Sequence, residues 1–273
     1  MLIRLARTGF RRQTERLRGR TAMIPYERRQ EMLKLLGTKD VVQLGDFCET
    51  LSDVSESTIR RDLKTLEAEG QVTLLRGGGV KLRQGSYDVP VNSKSIVNVS
   101  AKEKIAGYAA SLVQDGEAIY IDAGSTVLRM IAHLKGKQIT VITTNALILN
   151  AFQEADFTDT DIKCVVVGGD IKFSTASLVG TSTNRQLKSY YFDKAFLGIS
   201  GISQMAGFST PDDREAEKKQ IVRDHSKQTY ILSDSSKFNV TTLCSVFRLG
   251  EVPLITDREE TAFSEYGNYI VAQ

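Results

Sequence analysis

Histidine and cysteine are scarce in this chain: His133 and His225 alone of the first, and Cys48, Cys164 and Cys244 of the second. Two histidines give a histidine-based metal site or proton relay little to draw on. An odd, scattered set of three cysteines has no metal-ligand spacing. The cysteines read as reduced, mostly buried thiols of a cytoplasmic protein. Neither a metal nor a cofactor is expected. No apolar run approaches the ~20 residues that a membrane-spanning helix needs, so no membrane partner is expected. There is no internal repeat and, beyond the N-terminal leader, no low-complexity stretch. What is there is an ordinary globular composition, 41% apolar and 25% charged, in 273 residues. That length suits a small module joined to one larger domain.

A strong net charge is also missing: the total is +3. Residues 1–22 hold seven arginines (Arg4, Arg7, Arg11, Arg12, Arg16, Arg18, Arg20) against Glu15, a local +6, which leaves the other 251 residues at −3. Any nucleic-acid role therefore rests on where a few basic side chains point rather than on bulk charge. The leader itself has three readings: a disordered arm that adds phosphate affinity, an organellar presequence, or sequence upstream of a true start at Met23. The patterned chain begins at Ile24-Pro25-Tyr26, which favours the last.

From Pro25 to Gly37 the pattern is helical, with Met32, Leu33, Leu35 and Leu36 on the apolar side, proline at the start and glycine at the stop. Leu44, Phe47, Cys48 and Leu51 recur at i, i+3, i+4 and i+7 of a second short helix. After the turn Ser52-Asp53-Val54, Ser55 caps a third helix that carries Ile59, Leu63 and Leu66 and ends at Gly70. Val72–Leu75 and Val80–Leu82 flank Gly77-Gly78-Gly79 as a hairpin. Three helices and a hairpin make a winged helix-turn-helix, assigned to residues 23–83. Residues 84–99 have no clear period and read as a linker. From 100 to 273, short apolar runs alternate with helical stretches, the pattern of a larger, mostly parallel α/β domain covered on both faces. Ser100 and Glu103 read as a capping box at its first helix. Its strands are expected at 118–121, 139–143, 164–167, 195–199, 229–233 and 253–256.

In the third helix the residues free of core duty are Glu56, Ser57, Thr58, Arg60, Arg61 and Lys64. A recognition helix places its N-terminal turns in the major groove. Arg60 and Arg61 stand about 100° apart on the helix, so one can read a guanine edge while the other grips a phosphate. Ser57 and Thr58 suit phosphate contact at the positive helix end, and Arg76 opens the hairpin. The plain alternative is a solvated basic face; the helix-turn-helix spacing with a wing behind it favours double-stranded DNA.

In the larger domain four polar motifs follow strands, where open α/β sheets place ligands. They are Asp122-Ala123-Gly124-Ser125-Thr126, Thr143-Thr144-Asn145, Gly168-Gly169, and Asp234-Ser235-Ser236-Lys237-Phe238. Glycine admits an anion close to the backbone, hydroxyls donate, and Lys237 supplies charge. Each alone is as well explained by a helix cap, a turn or a surface lysine. Their convergence on strand ends is what points to a shared pocket.

Val54-Ser55-Glu56-Ser57-Thr58-Ile59-Arg60-Arg61-Asp62-Leu63, with Leu66-Glu67 and Gly70, resembles the signature of DeoR-family repressors. Arg76-Gly77-Gly78-Gly79 is similar to that family's wing, which more often reads His-Gly-Gly-Ala. The resemblance runs from Ile24 to the end of the chain. It implies a sensor domain of the ribose-5-phosphate isomerase and CoA-transferase fold and a phosphorylated sugar or related metabolite as effector. The family's D-S-G-T-T loop corresponds to Asp122 through Thr126, with Ala123 and Ser125 substituted. Its T-N, G-G and D-S-S-K-F elements correspond to Thr144-Asn145, Gly168-Gly169 and Asp234 through Phe238. Glu215 and Lys219 match its E-x-x-x-K, although at i, i+4 they also read as a surface ion pair of roughly 0.3–0.5 kcal/mol.

The expectation is a sequence-specific transcriptional repressor released by a phosphorylated effector, acting as a homo-oligomer because one half-site binds weakly. The alternative is a sugar-phosphate isomerase-like enzyme with a DNA-binding appendage. Asp122, Asp193 and Lys237 are its only candidate groups, and no Ser/His/Asp set or paired carboxylates accompany them.

Overall fold

Proline has no N–H to lose in a first helical turn, and Pro25 opens α1 (Pro25–Leu36) there, with the Glu27 carboxylate accepting from the Ile24 N–H at 3.3 Å. The computed structural model describes residues 23–39, 41–83, 90–156, 161–264 and 266–273; the leader over residues 1–22 lies outside them. Gly37 ends α1 in the right-handed conformation, so it is there for space and not for a left-handed cap. A Cβ at Gly37 would sit 2.6 Å from Val97 Cγ1.

β1 (Val42–Gln43), α2 (Leu44–Thr50), α3 (Glu56–Ala68), β2 (Val72–Leu74) and β3 (Gly79–Leu82) follow, the strands pairing antiparallel in the order β1-β3-β2. The Ser55 hydroxyl accepts from the Thr58 N–H at 3.3 Å and caps α3. Gly70, left-handed at φ 72°, ends it. Met32, Leu33, Phe47, Ile59, Leu63 and Leu66 are all buried in one core. Burying each such side chain contributes roughly 1.5–3 kcal/mol. This is the winged helix expected from the pattern.

Within the segment read as a linker, Val91–Ser95 forms a helix, α4. The next helix, α5 (Val99–Ser111), starts without a capping box: Asn98 occupies the cap position at φ 54° with no side-chain cap bond, and Glu103 pairs instead with Arg129 and His133. The remaining strands are β4 (Ala118–Ile121), β5 (Thr140–Thr143), β6 (Lys163–Val166), β7 (Asp170–Lys172), β8 (Ser177–Val179), β9 (Phe192–Gly198), β10 (Gly201–Ser203), β11 (Gly207–Thr210), β12 (Ser226–Leu232), β13 (Cys244–Phe247), β14 (Leu254–Thr256) and β15 (Tyr269–Val271). Between them lie α6 (Ser125–Leu128), α7 (Ile148–Glu154), α8 (Thr181–Leu187), α9 (Asp213–Asp224) and α10 (Thr261–Ser264).

Seven strands pair in parallel in the order β15-β14-β12-β9-β4-β5-β6. The six expected strands are all among them. Ile119 and Ile121 enter one core with α5, and Tyr120 enters the other, so β4 is buried on both faces as a parallel strand requires. The β7–β8 ribbon, the antiparallel β10-β11-β13 sheet and the edge strand β15 were not expected. They are short, and β7 and β10 carry no run of apolar residues to announce them. The cysteines also differ from expectation: all three are free, but Cys48 and Cys244 are half-buried and Cys164 is exposed.

Candidate nucleic-acid interface and ligand cavity

On α3 the side chains of Ser57, Arg60, Arg61 and Lys64 are exposed and Thr58 is half-buried. Ser57 and Thr58 hydroxyls both bond the Ser55 hydroxyl, at 3.0 and 2.9 Å, which fixes the first turn. Arg60 pairs with Glu56 one turn back at 2.8 Å. Such an exposed pair is worth only about 0.3–0.5 kcal/mol, so the guanidinium is easily surrendered to a phosphate or a base. Arg76 is exposed at the tip of the β2–β3 hairpin. Its turn needs Gly77 and Gly78, both left-handed at φ 90° and 87°. The Gly78 carbonyl accepts from the Leu44 N–H at 3.1 Å and ties the wing to the start of α2.

The aspartate of Arg60-Arg61-Asp62 has a different task. Asp62 is buried and accepts from Arg28 Nε at 2.7 Å, and Arg28 Nη1 also donates to the Met23 carbonyl at 2.8 Å. This pair clamps α1 to α3 and sets how α3 presents its basic edge. Sequence reasoning missed it, because Arg28 and Asp62 are 34 residues apart.

A cavity opens at the carboxyl ends of β4, β9 and β12. Gly124, Ser125, Thr126, Glu215, Lys219 and Lys237 line it, which brings together six of the residues proposed from the sequence. Gly124 stands at φ 152°, a backbone that favours glycine. Asp234 caps the turn Ser235–Lys237 by accepting from the Ser236 N–H at 3.1 Å, and Asp257 accepts from the Ser235 N–H at 2.7 Å. Lys237, half-buried, is thereby held in the lining, and its ammonium makes no ion pair among the described residues.

The lining residues Glu215 and Lys219 belong to a buried charge cluster. Asp122 is fully enclosed and takes hydrogen bonds from Lys219 and from the Gly198 N–H (3.2 Å), with Lys218 at 3.5 Å. Glu215 accepts from Thr175 at 2.8 Å and pairs with Lys172 at 3.4 Å. Burial alone would raise the Glu215 pKa, but Lys219, Lys218 and Lys172 together pull it down to about 2. Burial drives the Lys218 pKa down. Glu215 and Lys219 are therefore not a surface pair; Glu215, Lys218, Lys219 and Val222 form the buried stripe of α9, at i, i+3, i+4 and i+7. That spacing was the overlooked signal for Lys218.

Thr144, Asn145, Gly168 and Gly169 stand outside the lining of this cavity among the described residues. The Thr144 hydroxyl bonds Tyr120 OH at 2.6 Å, and Asn145 Oδ1 accepts from the Leu147 N–H at 2.9 Å in a local turn. Burial, and then the neighbouring Asp122, push the Tyr120 pKa well up, so its hydroxyl stays protonated. The Gly168 carbonyl accepts from Thr183 Oγ1 at 2.9 Å. A Cβ at Gly169 would lie 1.8 Å from that same hydroxyl.

The cavity also reaches the N-terminal module. Leu33, Gln71, Leu82 and Arg83 line one side of it, and Val91, Ser93, Lys94, Val97, Asn98 and Lys102 the next. Ser93 Oγ donates to Gln71 Oε1 at 2.6 Å, and Asn98 Nδ2 donates to Asp234 Oδ1 at 2.8 Å. None of Asn98, Lys102 and Gln71 was singled out from the sequence. Lys102 was legible in principle, since it shares the apolar stripe of Ile105, Ala106 and Ala109 on α5.

A winged helix with an exposed basic reading helix, set over an α/β domain that holds a cation-lined cavity, defines a DNA-binding transcriptional regulator with a small-molecule sensor. The DeoR-like helix-turn-helix domain family matches residues 28–84, and the DeoR C terminal sensor domain family matches residues 97–258. The chain belongs to the DeoR family of transcriptional regulators. It is 37% identical to the HTH-type transcriptional regulator FruR of Bacillus subtilis, over 89% of this chain and 96% of that protein. It is 32% identical to the HTH-type transcriptional repressor GlcR of Bacillus subtilis, over 86% of this chain and 90% of that one. Among solved structures, ribose 5-phosphate isomerase A of Methanocaldococcus jannaschii overlaps 52% of this chain and 55% of its own at 21% identity and a TM-score of 0.37. The eIF2B delta subunit of Chaetomium thermophilum overlaps 55% of this chain and 57% of its own at 15% identity and a TM-score of 0.38. No helix among the described residues is long and apolar enough to cross a membrane.

Proposed function

We propose that this protein is a cytoplasmic repressor that binds its operator as a homo-oligomer and is released when a phosphorylated sugar, polyol or sugar acid fills the cavity. In this reading residues 23–83 read DNA and residues 100–273 sense the effector. Ser57, Thr58, Arg60, Arg61, Lys64 and Arg76 contact the duplex, with a guanine edge read by one of Arg60 and Arg61 and phosphates gripped by the other and by Ser57, Thr58 and Lys64. Gly124, Ser125, Thr126 and Lys237 hold the phosphate, and Glu215, Lys219 and Asp122 form the charged floor beneath it. The observation that supports this reading is that Lys237, with no ion pair among the described residues, lines the same cavity as the Gly124-Ser125-Thr126 loop.

Binding is a better account of the floor than turnover. A carboxyl held near a pKa of 2, as Glu215 is, accepts a proton poorly at neutral pH. The charges of three lysines hold Glu215 ionised and the Thr175 and Thr210 hydroxyls donate to it, which suits a rigid electrostatic base for an anion more than a proton shuttle.

The test is a thermal-shift screen of the full chain against phosphorylated sugars and sugar acids, followed by a gel shift on the DNA upstream of its own gene. A ligand at a hundred times its Kd stabilises by about 2.7 kcal/mol. The same ligand releases the DNA, and Lys237→Ala abolishes both responses. Failure of every such compound to shift the melting curve, or steady conversion of ribose 5-phosphate by the pure protein, would overturn this reading.

A further inference from the structure

Buried charges are paired with opposite charges, because removing an ion from water costs several kcal/mol that only a counter-ion and hydrogen bonds offset. Lys102 breaks that pattern. It is 3% exposed, yet no carboxylate pairs with it among the described residues. Its ammonium donates to two neutral oxygens, the carbonyls of Lys94 and of Val97, the latter at 2.7 Å. An ammonium has three N–H donors, so one is left, and the side chain lines the cavity. Asp234, the acid that acts on it electrostatically, is already committed to Asn98 and to the Ser236 N–H. Lys237 and Lys94 add further positive charge around it, as does Arg129, whose own counter-ion is Glu103 and which also donates to the Ser95 carbonyl. A concave, cation-rich place with a spare buried donor is short of one anion.

The two carbonyls that Lys102 holds belong to the segment joining the two halves of the protein. Val97 is buried in the core of the N-terminal module, in one cluster with Met32 and Leu36, with Ile96 packed against that core. Asn98, the next residue, bonds the loop that carries Lys237. Any change in what Lys102 holds is therefore felt within one residue by the packing of the DNA-reading module.

Resting on the sensor reading above, we propose that the effector's anionic group is bound jointly by Lys102 and Lys237, and that Lys102 couples the cavity to the DNA-reading module by exchanging the carbonyls of Lys94 and Val97 for that anion. Lys102 is then both an effector ligand and the hinge-holding residue. The same ammonium cannot serve a phosphate fully and keep both carbonyls, so occupancy loosens the 91–98 segment from α5.

Inorganic phosphate and sulfate are the probes, each added to the full-length chain at 50 mM (about that order) against chloride of equal ionic strength. Wild type shows a rise in Tm with both anions, and Lys237→Met and Lys102→Met each remove it. Hydrogen exchange of residues 91–98 becomes at least severalfold faster when phosphate is added to wild type. Lys102→Met shows that faster exchange without any anion. Sulfate keeps a constant charge from pH 6 to 10, so a wild-type titration needs no variant: burial pulls the Lys102 pKa down to about 8, and the sulfate response fades above that pH. The groups facing Lys102 there are Asp234, Lys237, Arg129 and Lys94. A phosphate response that survives Lys102→Met, or that persists unchanged to pH 10, overturns the role of Lys102 and leaves the sensor reading intact. Loss of the response with unchanged exchange at 91–98 overturns the coupling. No response of wild type to either anion overturns both.

Discussion

Asn98 donates its side-chain amide to Asp234 across 2.8 Å, and this bond joins the segment between the two modules to the strand-end loop that carries Lys237. Asn98 is left-handed at φ 54°, a conformation asparagine tolerates and alanine resists. Asp234 is 2% exposed, so losing this donor leaves a buried carboxylate less well satisfied.

Asn98→Gly keeps that backbone and removes the donor. A hydrogen bond to a charged group is worth about 1.5–3 kcal/mol. The melting temperature should fall by several degrees. Asn98→Ala should fall further, because it adds backbone strain. Calorimetry of the two variants checks the order.

Replacing Arg60 and Arg61 together by alanine should leave the fold intact, since both are exposed. Operator affinity should fall at least tenfold, because one good guanine contact is worth roughly 1–3 kcal/mol. Lys64→Ala should instead weaken all DNA alike and flatten the salt dependence by about one phosphate contact. Gel shifts across a salt series separate the two effects, and unchanged affinity in the double variant would refute the assignment of α3.

Asp62→Ala leaves Arg28 buried without its partner at 2.7 Å. Breaking such a pair costs about 3–5 kcal/mol. Urea denaturation should show the N-terminal module lost first, with DNA binding abolished. Arg28→Met with Asp62→Leu should recover most of the stability.

The Glu215 carboxyl falls from the ordinary 4.5 to about 2 in the folded state. A lowered folded pKa means that the unfolded chain binds the proton more readily, so stability increases with pH in that window. The contribution of Glu215 is complete above about pH 4.5 and is lost as the pH drops toward 2. Glu215→Gln removes this acid-labile part, so wild type and variant curves should converge toward pH 2. The groups that face Glu215 are Lys219, Lys218, Lys172 and Thr175.

Gly169→Ala should destabilise by more than about 1 kcal/mol, because the new Cβ meets Thr183 Oγ1 at 1.8 Å and the Val179 carbonyl at 2.8 Å. Gly168→Ala meets nothing within 4 Å and should be silent. Melting curves of the pair test whether Gly169 serves packing.

The three helices and the wing were legible because their information is local: a cap at Ser55, a stop at Gly70, apolar residues at helical spacing. The six parallel strands were legible for the same reason, as short apolar runs bounded by turns. Strand-end glycines and hydroxyls could be placed near a pocket because strand ends share one side of a parallel sheet. Tertiary structure alone decided which of them meet. It gathered Gly124, Ser125, Thr126 and Lys237, and it gave Thr144 to Tyr120 and Gly169 to close packing with Thr183. It also decided the partners of the buried charges: Arg28 with Asp62 and Lys219 with Asp122 across long stretches of chain, and Lys102 with two backbone carbonyls nearby in sequence. Periodicity reports which face of an element is buried. It carries no record of which distant residue shares that burial, and the energy of a buried charge depends on that partner.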